Sequence, residues 1–295
     1  MSWLQISFIV KPEDALLMDD LLTEAGALSI SMQGGNDEAI YEPPPGATAL
    51  WSHTRIIGLF DGSINSDKVL EFLKTALKQP GLPEYRIERL EDEDWQHKWM
   101  AGIQPQCFGE RLWIYPSWHT PPDTNTINII LDPGLAFGAG PHPTTSLCLE
   151  WLDQHDVRGW EVIDYGCGSG ILSIAAVKLG ARHVWAVDID PQALKATADN
   201  ACKNGVNHYI SPLYPGDLPE IKADCLIANI LANPICELVP RFSDLITAGG
   251  RIVLSGILQN QSDKIMDSIE KWFDMDSIVV REDWVRLAAR RKARP

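Results

Sequence analysis

Apolar and polar side chains alternate through Trp3-Leu-Gln-Ile-Ser-Phe-Ile-Val10, a period of two that predicts a β-strand. At Pro12-Glu13-Asp14 the spacing changes to three and four. That predicts a helix with acidic residues in its first turn, Leu16, Leu17, Leu21 and Leu22 on its inner face, and an end at Gly26. A short strand over 27–32, a polar proline-rich loop through Pro45 and a strand over 50–60 follow. Ser66 is expected to cap a second helix that buries Val69, Leu70, Phe72, Leu73 and Leu77 and stops at Pro80-Gly81, before a strand over 85–90. The order β-α-β-β-α-β predicts a ferredoxin-like unit. It holds no cluster of catalytic residue types and reads as a recognition module.

Further along, the acidic run Glu91-Asp-Glu-Asp precedes Trp95 and Trp99, which share one face of an expected linker helix. Strand patterns return at 111–116 and 126–131, around a turn at Pro121-Pro122-Asp123. The stretch Asp132-Pro-Gly-Leu-Ala-Phe-Gly-Ala-Gly-Pro-His-Pro-Thr-Thr145 is too rich in glycine and proline for helix or central strand. It predicts a shaped loop whose Thr144/Thr145 pair caps a helix burying Leu147, Cys148, Trp151 and Leu152. Glu161-Val-Ile-Asp-Tyr165 then runs as a buried strand into Gly166-Cys-Gly-Ser-Gly170 and a helix from Ile171, closed by Gly180. Strands at 183–187, 209–213, 223–228 and 251–255 alternate with helices at 191–204, 234–247 and 261–273. Two final strands, near 277–281 and 284–289, are joined so tightly at Glu282-Asp283 that they predict an antiparallel hairpin at a sheet edge. Strand, glycine turn and helix, repeated this way, predict a nucleotide-type α/β fold. The domain plan is therefore 1–92, a linker over 93–105, and an α/β domain over 106–295.

Composition narrows the setting. The six cysteines at 107, 148, 167, 202, 225 and 236 form no Cys-x-x-Cys pair, which suits neither a disulfide framework nor a zinc site and points to a reducing compartment. No metal is expected. Without a basic leader or a membrane-length apolar run, the chain is expected to be cytoplasmic. Net charge is −15, and residues 1–99 carry 8 Lys+Arg against 17 Asp+Glu. Such a surface repels free nucleic acid and attracts a basic protein, besides conferring solubility.

The candidate chemistry gathers at the predicted strand ends. Gly166-x-Gly168-x-Gly170 departs from the dinucleotide form G-x-G-x-x-G. Asp188, ending the next strand, is placed to accept hydrogen bonds from two ribose hydroxyls, whether of NAD or of S-adenosylmethionine. Asp164 before the turn favours the latter, because a sulfonium amino acid needs acceptors for its ammonium. Gly216-Asp217 is a candidate for the adenine amino group, or an ordinary turn. Asn229, in Asn229-Ile-Leu-Ala-Asn-Pro234, is placed to orient an amine toward a methyl group, to cap the following helix, or both. His142 is a candidate general base or a structural loop histidine. Cys167 reads as a small filler.

These motifs resemble those of the PrmA family, whose members methylate ribosomal protein L11 of the large subunit. The resemblance rests on the loop 132–145, Asp164-Tyr-Gly-Cys-Gly-Ser-Gly-Ile-Leu172, Ala186-Val-Asp-Ile-Asp-Pro191 and Ala228-Asn-Ile-Leu-Ala232. It extends to Glu91-Asp-Glu-Asp-Trp95, Pro116-Ser-Trp118 and Leu254-Ser-Gly-Ile257. It implies a seven-stranded class I methyltransferase domain behind an N-terminal domain that presents the ribosomal protein. It also implies S-adenosylmethionine as cofactor, with lysine ε-amines and an N-terminal α-amine as acceptors. Carried over by motif, Thr145, Gly166, Gly168, Asp188 and Asn229 bind the cofactor, and Asn229 also orients the amine. Where the family loop usually reads Phe-Gly-Thr-Gly-Thr-His, Ala139 and Pro141 stand in place of both threonines. Three other readings stay open on the residues alone: another amine or amide acceptor, an NAD-dependent oxidoreductase, or a ribosome-assembly factor without catalysis.

Overall fold

A computed structural model describes residues 2–35, 51–77, 81–91, 103–121, 126–132 and 142–293. The chain divides into two compact units, Met1–Gly102 and Ile103–Pro295. The expected loop through Pro45, Trp95 and Trp99, and most of the linker over 93–105 lie outside the described residues.

In the first unit, β1 (Ser2–Val10), α1 (Pro12–Glu24), β2 (Ser29–Gly34), β3 (Thr54–Asp61), α2 (Ser66–Leu77) and β4 (Tyr85–Glu91) follow the expected order. The sheet runs β2-β3-β1-β4 with antiparallel neighbours, the ferredoxin-like arrangement. Leu4, Ile6, Phe8 and Val10 alternate onto one face, where Ile56, Phe60 and both helices complete the core. Two expectations are corrected. The inner stripe of α1 is Ala15, Met18, Leu21 and Leu22, while Leu16 and Leu17 are 69% and 48% exposed. Each residue turns a helix by about 100°, so Leu16 falls well off the stripe that runs through Ala15, Met18 and Leu22. The cap of α2 is Asn65, not Ser66: its Oδ1 accepts from the backbone N–H of Asp67 at 2.9 Å.

The second unit begins with a small sheet of β5 (Gln106–Phe108), β6 (Leu112–Tyr115) and β7 (Ile127–Ile130). The three residues of β5 are too few to show a period. The large sheet comprises β8 (Glu161–Tyr165), β9 (His183–Val187), β10 (Ile210–Leu213), β11 (Ala223–Asn229), β12 (Ile246–Leu258), β13 (Phe273–Arg281) and β14 (Trp284–Arg291). Its order is β10-β9-β8-β11-β12-β14-β13, and β14 is its one antiparallel strand. Helices α3 (Pro143–Gln154), α4 (Ile171–Lys178) and α5 (Pro191–Lys203) cover one face, against Val162, Val184, Ala186 and Ile227. Helices α6 (Ala232–Leu245) and α7 (Ser262–Ile269) cover the other, against Ile163, Val187, Leu226 and Leu254. Strands buried on both faces need no alternation, which is why Val162 and Ile163 in β8, and Cys225 to Ala228 in β11, are apolar at successive positions. No helix among the described residues is long and apolar enough to cross a membrane.

Candidate functional site

The carboxyl ends of β8, β9 and β11 surround a cavity of about 590 Å³. Sheet order reverses beside β8, since β9 and β10 extend to one side and β11 to the other, and ligands of open α/β sheets bind at that crevice. Thr145, Gly166, Gly168, Asp188 and Asn229 all line it. Ile171, Leu172, Ile189, Pro215, Ile230, Leu231 and Leu238 make the rest of the wall largely apolar.

The glycine turn is held from several sides. Val187 O accepts from the N–H groups of Gly166 and Cys167 at 2.7 and 3.1 Å, which ties the turn to the end of β9. Gly166 has φ +83°, and a Cβ there would stand 2.2 Å from Ile230 Cγ2, so only glycine fits. Thr197 on α5 donates to Gly168 O at 3.1 Å, and Asn200 donates to Ser169 O at 2.9 Å. No motif in the sequence marks these two residues. Their signal is a polar Thr197 set among Ala193 and Ala201 on the buried stripe of α5.

Asp188 is fixed at both oxygens. Oδ2 accepts from Gly168 N–H at 3.0 Å and Oδ1 from Asp190 N–H at 3.0 Å. Each oxygen keeps a further lone pair for a hydroxyl donor. Asn229 ends β11, and its Nδ2 donates to Thr145 Oγ1 at 3.3 Å. Asn229 Oδ1 is buried without a partner among the described residues, an acceptor whose desolvation costs about 1–3 kcal/mol unless a ligand supplies a donor. The capping alternative for Asn229 is corrected, because α6 starts at Ala232 with Leu231 at its N-cap.

Three further expectations change. Helix α3 is capped by His142, not by Thr144 and Thr145, which sit buried in its first turn. His142 Nδ1 lies 2.7 Å from Thr144 Oγ1, and the ring stands edge-on to Trp284 at 5.0 Å. Burial lowers the imidazole pKa against the opposing pull of Glu282, and His142 is not among the described residues that line the cavity. Asp164 does not line the cavity either. It lies behind the turn, 1% exposed, and its Oδ2 accepts from Ser173 N–H at 3.0 Å and Ser173 Oγ–H at 2.6 Å, holding the first turn of α4. Asp217 is in a turn, its N–H donating to Tyr214 O, and is absent from the wall. Cys167 is buried and accepts from Thr197 Oγ at 3.3 Å, and burial raises its thiol pKa, as suits a filler. Both ends of the glycine-rich loop are anchored: Asp132 accepts from Ser117 N–H and pairs with Lys203, and His142 caps α3. Residues 133–141, with Ala139 and Pro141, lie outside the described residues.

The wall fits a nucleoside bearing an amino-acid tail. It offers a fixed carboxylate for ribose hydroxyls, a glycine turn that a Cβ would fill, an unpartnered amide oxygen and apolar surface for a base. Among the described residues of the wall there is no lysine or arginine of the kind a pyrophosphate favours.

Residues 2–292 match the family described as ribosomal protein L11 methyltransferase (PrmA). The ribosomal protein L11 methyltransferase of Marinobacter nauticus is 50% identical over 296 residues, with 99% of each chain covered. That of Pseudomonas fluorescens is 47% identical, covering 99% of this chain and all of the other. A crystal structure of the ribosomal protein L11 methylase from Lactobacillus delbrueckii subsp. bulgaricus is similar at a TM-score of 0.59 and 35% identity. It covers 64% of this chain and 99% of that one. Match length and identity together place this chain in the PrmA family of ribosomal protein L11 methyltransferases.

Proposed function

We propose that the chain transfers methyl groups from S-adenosylmethionine to lysine ε-amines and the N-terminal α-amine of ribosomal protein L11, at the cavity described above. The observation that carries this reading is the convergence of Thr145, Gly166, Gly168, Asp188 and Asn229, from four separate segments, on one wall in a chain of this family. Family membership also sets aside the oxidoreductase.

When bound, the cofactor would supply a sulfonium methyl whose carbon an amine lone pair can attack, with the S–C bond breaking and S-adenosylhomocysteine leaving as a neutral thioether. Asp188, oriented by Gly168 N–H and Asp190 N–H, receives the ribose hydroxyls. Gly166 and Gly168 let the backbone approach the methionine end. Asn229 Oδ1 accepts an N–H of the incoming amine and so points its lone pair, while Thr145 Oγ1 holds the amide from the other side. An ammonium has no lone pair, and a lysine with pKa near ~10.4 must lose its proton first. The apolar wall favours the neutral amine by desolvation. Alignment and exclusion of water therefore carry the catalysis, without a covalent intermediate.

In this reading residues 1–92 present the protein substrate, 93–105 join the units, and 106–295 carry the transferase. A net charge of −15 suits a basic ribosomal protein, met free or on the ribosome, without direct reading of nucleic acid. The setting is cytoplasmic, where the six cysteines stay reduced.

The test compares wild type with Asn229→Ala, using radiolabelled S-adenosylmethionine and purified L11. The variant is expected to lose at least roughly tenfold in kcat with a smaller change in cofactor Kd. Wild-type kcat in Asn229→Ala contradicts the role given to this residue, and no transfer by the wild-type chain contradicts the function.

A further inference from the structure

The cavity wall contains a carboxylate that the reaction above does not use, that of Glu237 on α6. No hydrogen bond or ion pair among the described residues engages it, although Arg241 stands one turn away at the i+4 position that favours pairing. Arg241 instead gives its guanidinium to the backbone carbonyl of Pro215, which is itself a wall residue. Pro234, Glu237, Leu238 and Arg241 stand at i, i+3, i+4 and i+7 and form one stripe of α6, and Arg241 places that stripe against the segment after β10.

Sheet order then fixes where this stripe lies along the ligand. Across β10-β9-β8-β11 the wall residues are Pro215, Asp188, Gly166 and Asn229 in turn. With the ribose at Asp188 and the methyl end at Gly166, Thr145 and Asn229, the base must extend the other way, toward Ile189, Pro215 and Leu238. These three apolar side chains suit the faces of a purine. The polar edge of the base needs a partner there, and Asp217, the residue anticipated from sequence, is absent from the wall.

We infer that Glu237 selects adenine in the cofactor site, its carboxylate accepting a hydrogen bond from the exocyclic 6-amino group. The inference rests on the cofactor reading proposed above and adds base specificity to it. An ionised carboxylate only accepts, so it pairs with an amino group and meets the lone pairs of a 6-oxo purine with repulsion. The pairing discriminates because the wrong base puts an acceptor oxygen where the carboxylate needs a donor.

Calorimetric titration of the full chain with S-adenosylhomocysteine and S-inosylhomocysteine tests this in wild type, Glu237→Gln and Glu237→Ala. Wild type is expected to prefer the adenosyl ligand by roughly ten- to a hundredfold. Glu237→Gln, whose amide can accept from an amino group or donate to an oxo group, should reduce that preference at least about tenfold, mainly by tightening the inosyl ligand. Glu237→Ala should lose adenosyl affinity and most of the preference. Glu237 is exposed on the helix surface and unpaired, so both variants should melt with the wild type, which the same samples can show. An unchanged preference in Glu237→Gln, or none in wild type, overturns this inference and leaves the cofactor reading standing. Failure of the wild-type chain to bind the adenosyl ligand overturns both.

Discussion

Asp164 shows how a single residue can serve the site without touching it. Burial is the main influence on its carboxyl and raises the pKa from 3.8 to about 6, against the two hydrogen bonds from Ser173. Oδ1 has no partner among the described residues, so the ionised form is poorly solvated on that side. A folded-state pKa above the unfolded one means the folded chain holds a proton that the unfolded chain has released. Stability from this group is therefore full below about pH 4 and is lost as pH rises through about 6. Asp164→Asn keeps an acceptor for Ser173 and cannot ionise. Melting curves of both proteins between pH 4 and 7 should show the difference in Tm moving steadily in favour of the variant as pH rises. Parallel curves would mean that Asp164 does not titrate in this range.

At the scale of elements, two distant segments are fitted to one another at Ile230. Gly256 interrupts the pairing of β12 with β14, where the register shifts between Leu254 and Ile257, and it has φ +81°. A Cβ there would meet Ile230 O at 2.3 Å and Ile230 C at 2.8 Å, backbone atoms that cannot swing aside. Gly256→Ala should cost about 1–3 kcal/mol and lower Tm by several degrees. Because Ile230 lines the cavity, cofactor affinity should fall too, although Gly256 lies outside the wall. Unchanged Tm and affinity in the variant would contradict this fit. The motif Leu254-Ser-Gly-Ile257 was legible in the sequence, but its reason was not, since the partner of Gly256 is 26 residues away. Periodicity served well where one face alone is buried, as in β1, and where caps and glycines mark ends, as in α4. It failed at Leu16 and Leu17 because two leucine pairs looked like one stripe until Ala15 and Met18 were seen to fill the core. The strand-end residues Gly166, Asp188 and Asn229 could be read from motif and spacing. Asn200 and Glu237 could not, because they reach the turn or the cavity only through the packing of α5 and α6 on the sheet, and Thr197 shows only as a polar break in the apolar stripe of α5.

Over the whole molecule, acidity and architecture point toward the same kind of substrate. The first unit contributes a ferredoxin-like module within the more acidic part of the chain, and the second a cavity whose acidic wall residues, among those described, are Asp188 and Glu237. A cationic side chain is drawn toward such a protein over a Debye length of about 8 Å at physiological salt, and neutralised where the wall is apolar. The central claim is methyl transfer to the amines of L11, and intact-mass spectrometry tests it most directly. Purified chain, unmodified L11 and S-adenosylmethionine are incubated together, and L11 is then weighed and fragmented. The account predicts added mass in whole methyl steps, confined to lysine side chains and the N-terminal amine, and dependent on both the cofactor and the chain. L11 of unchanged mass, or methyl groups on carboxylates or amides instead of amines, would contradict it.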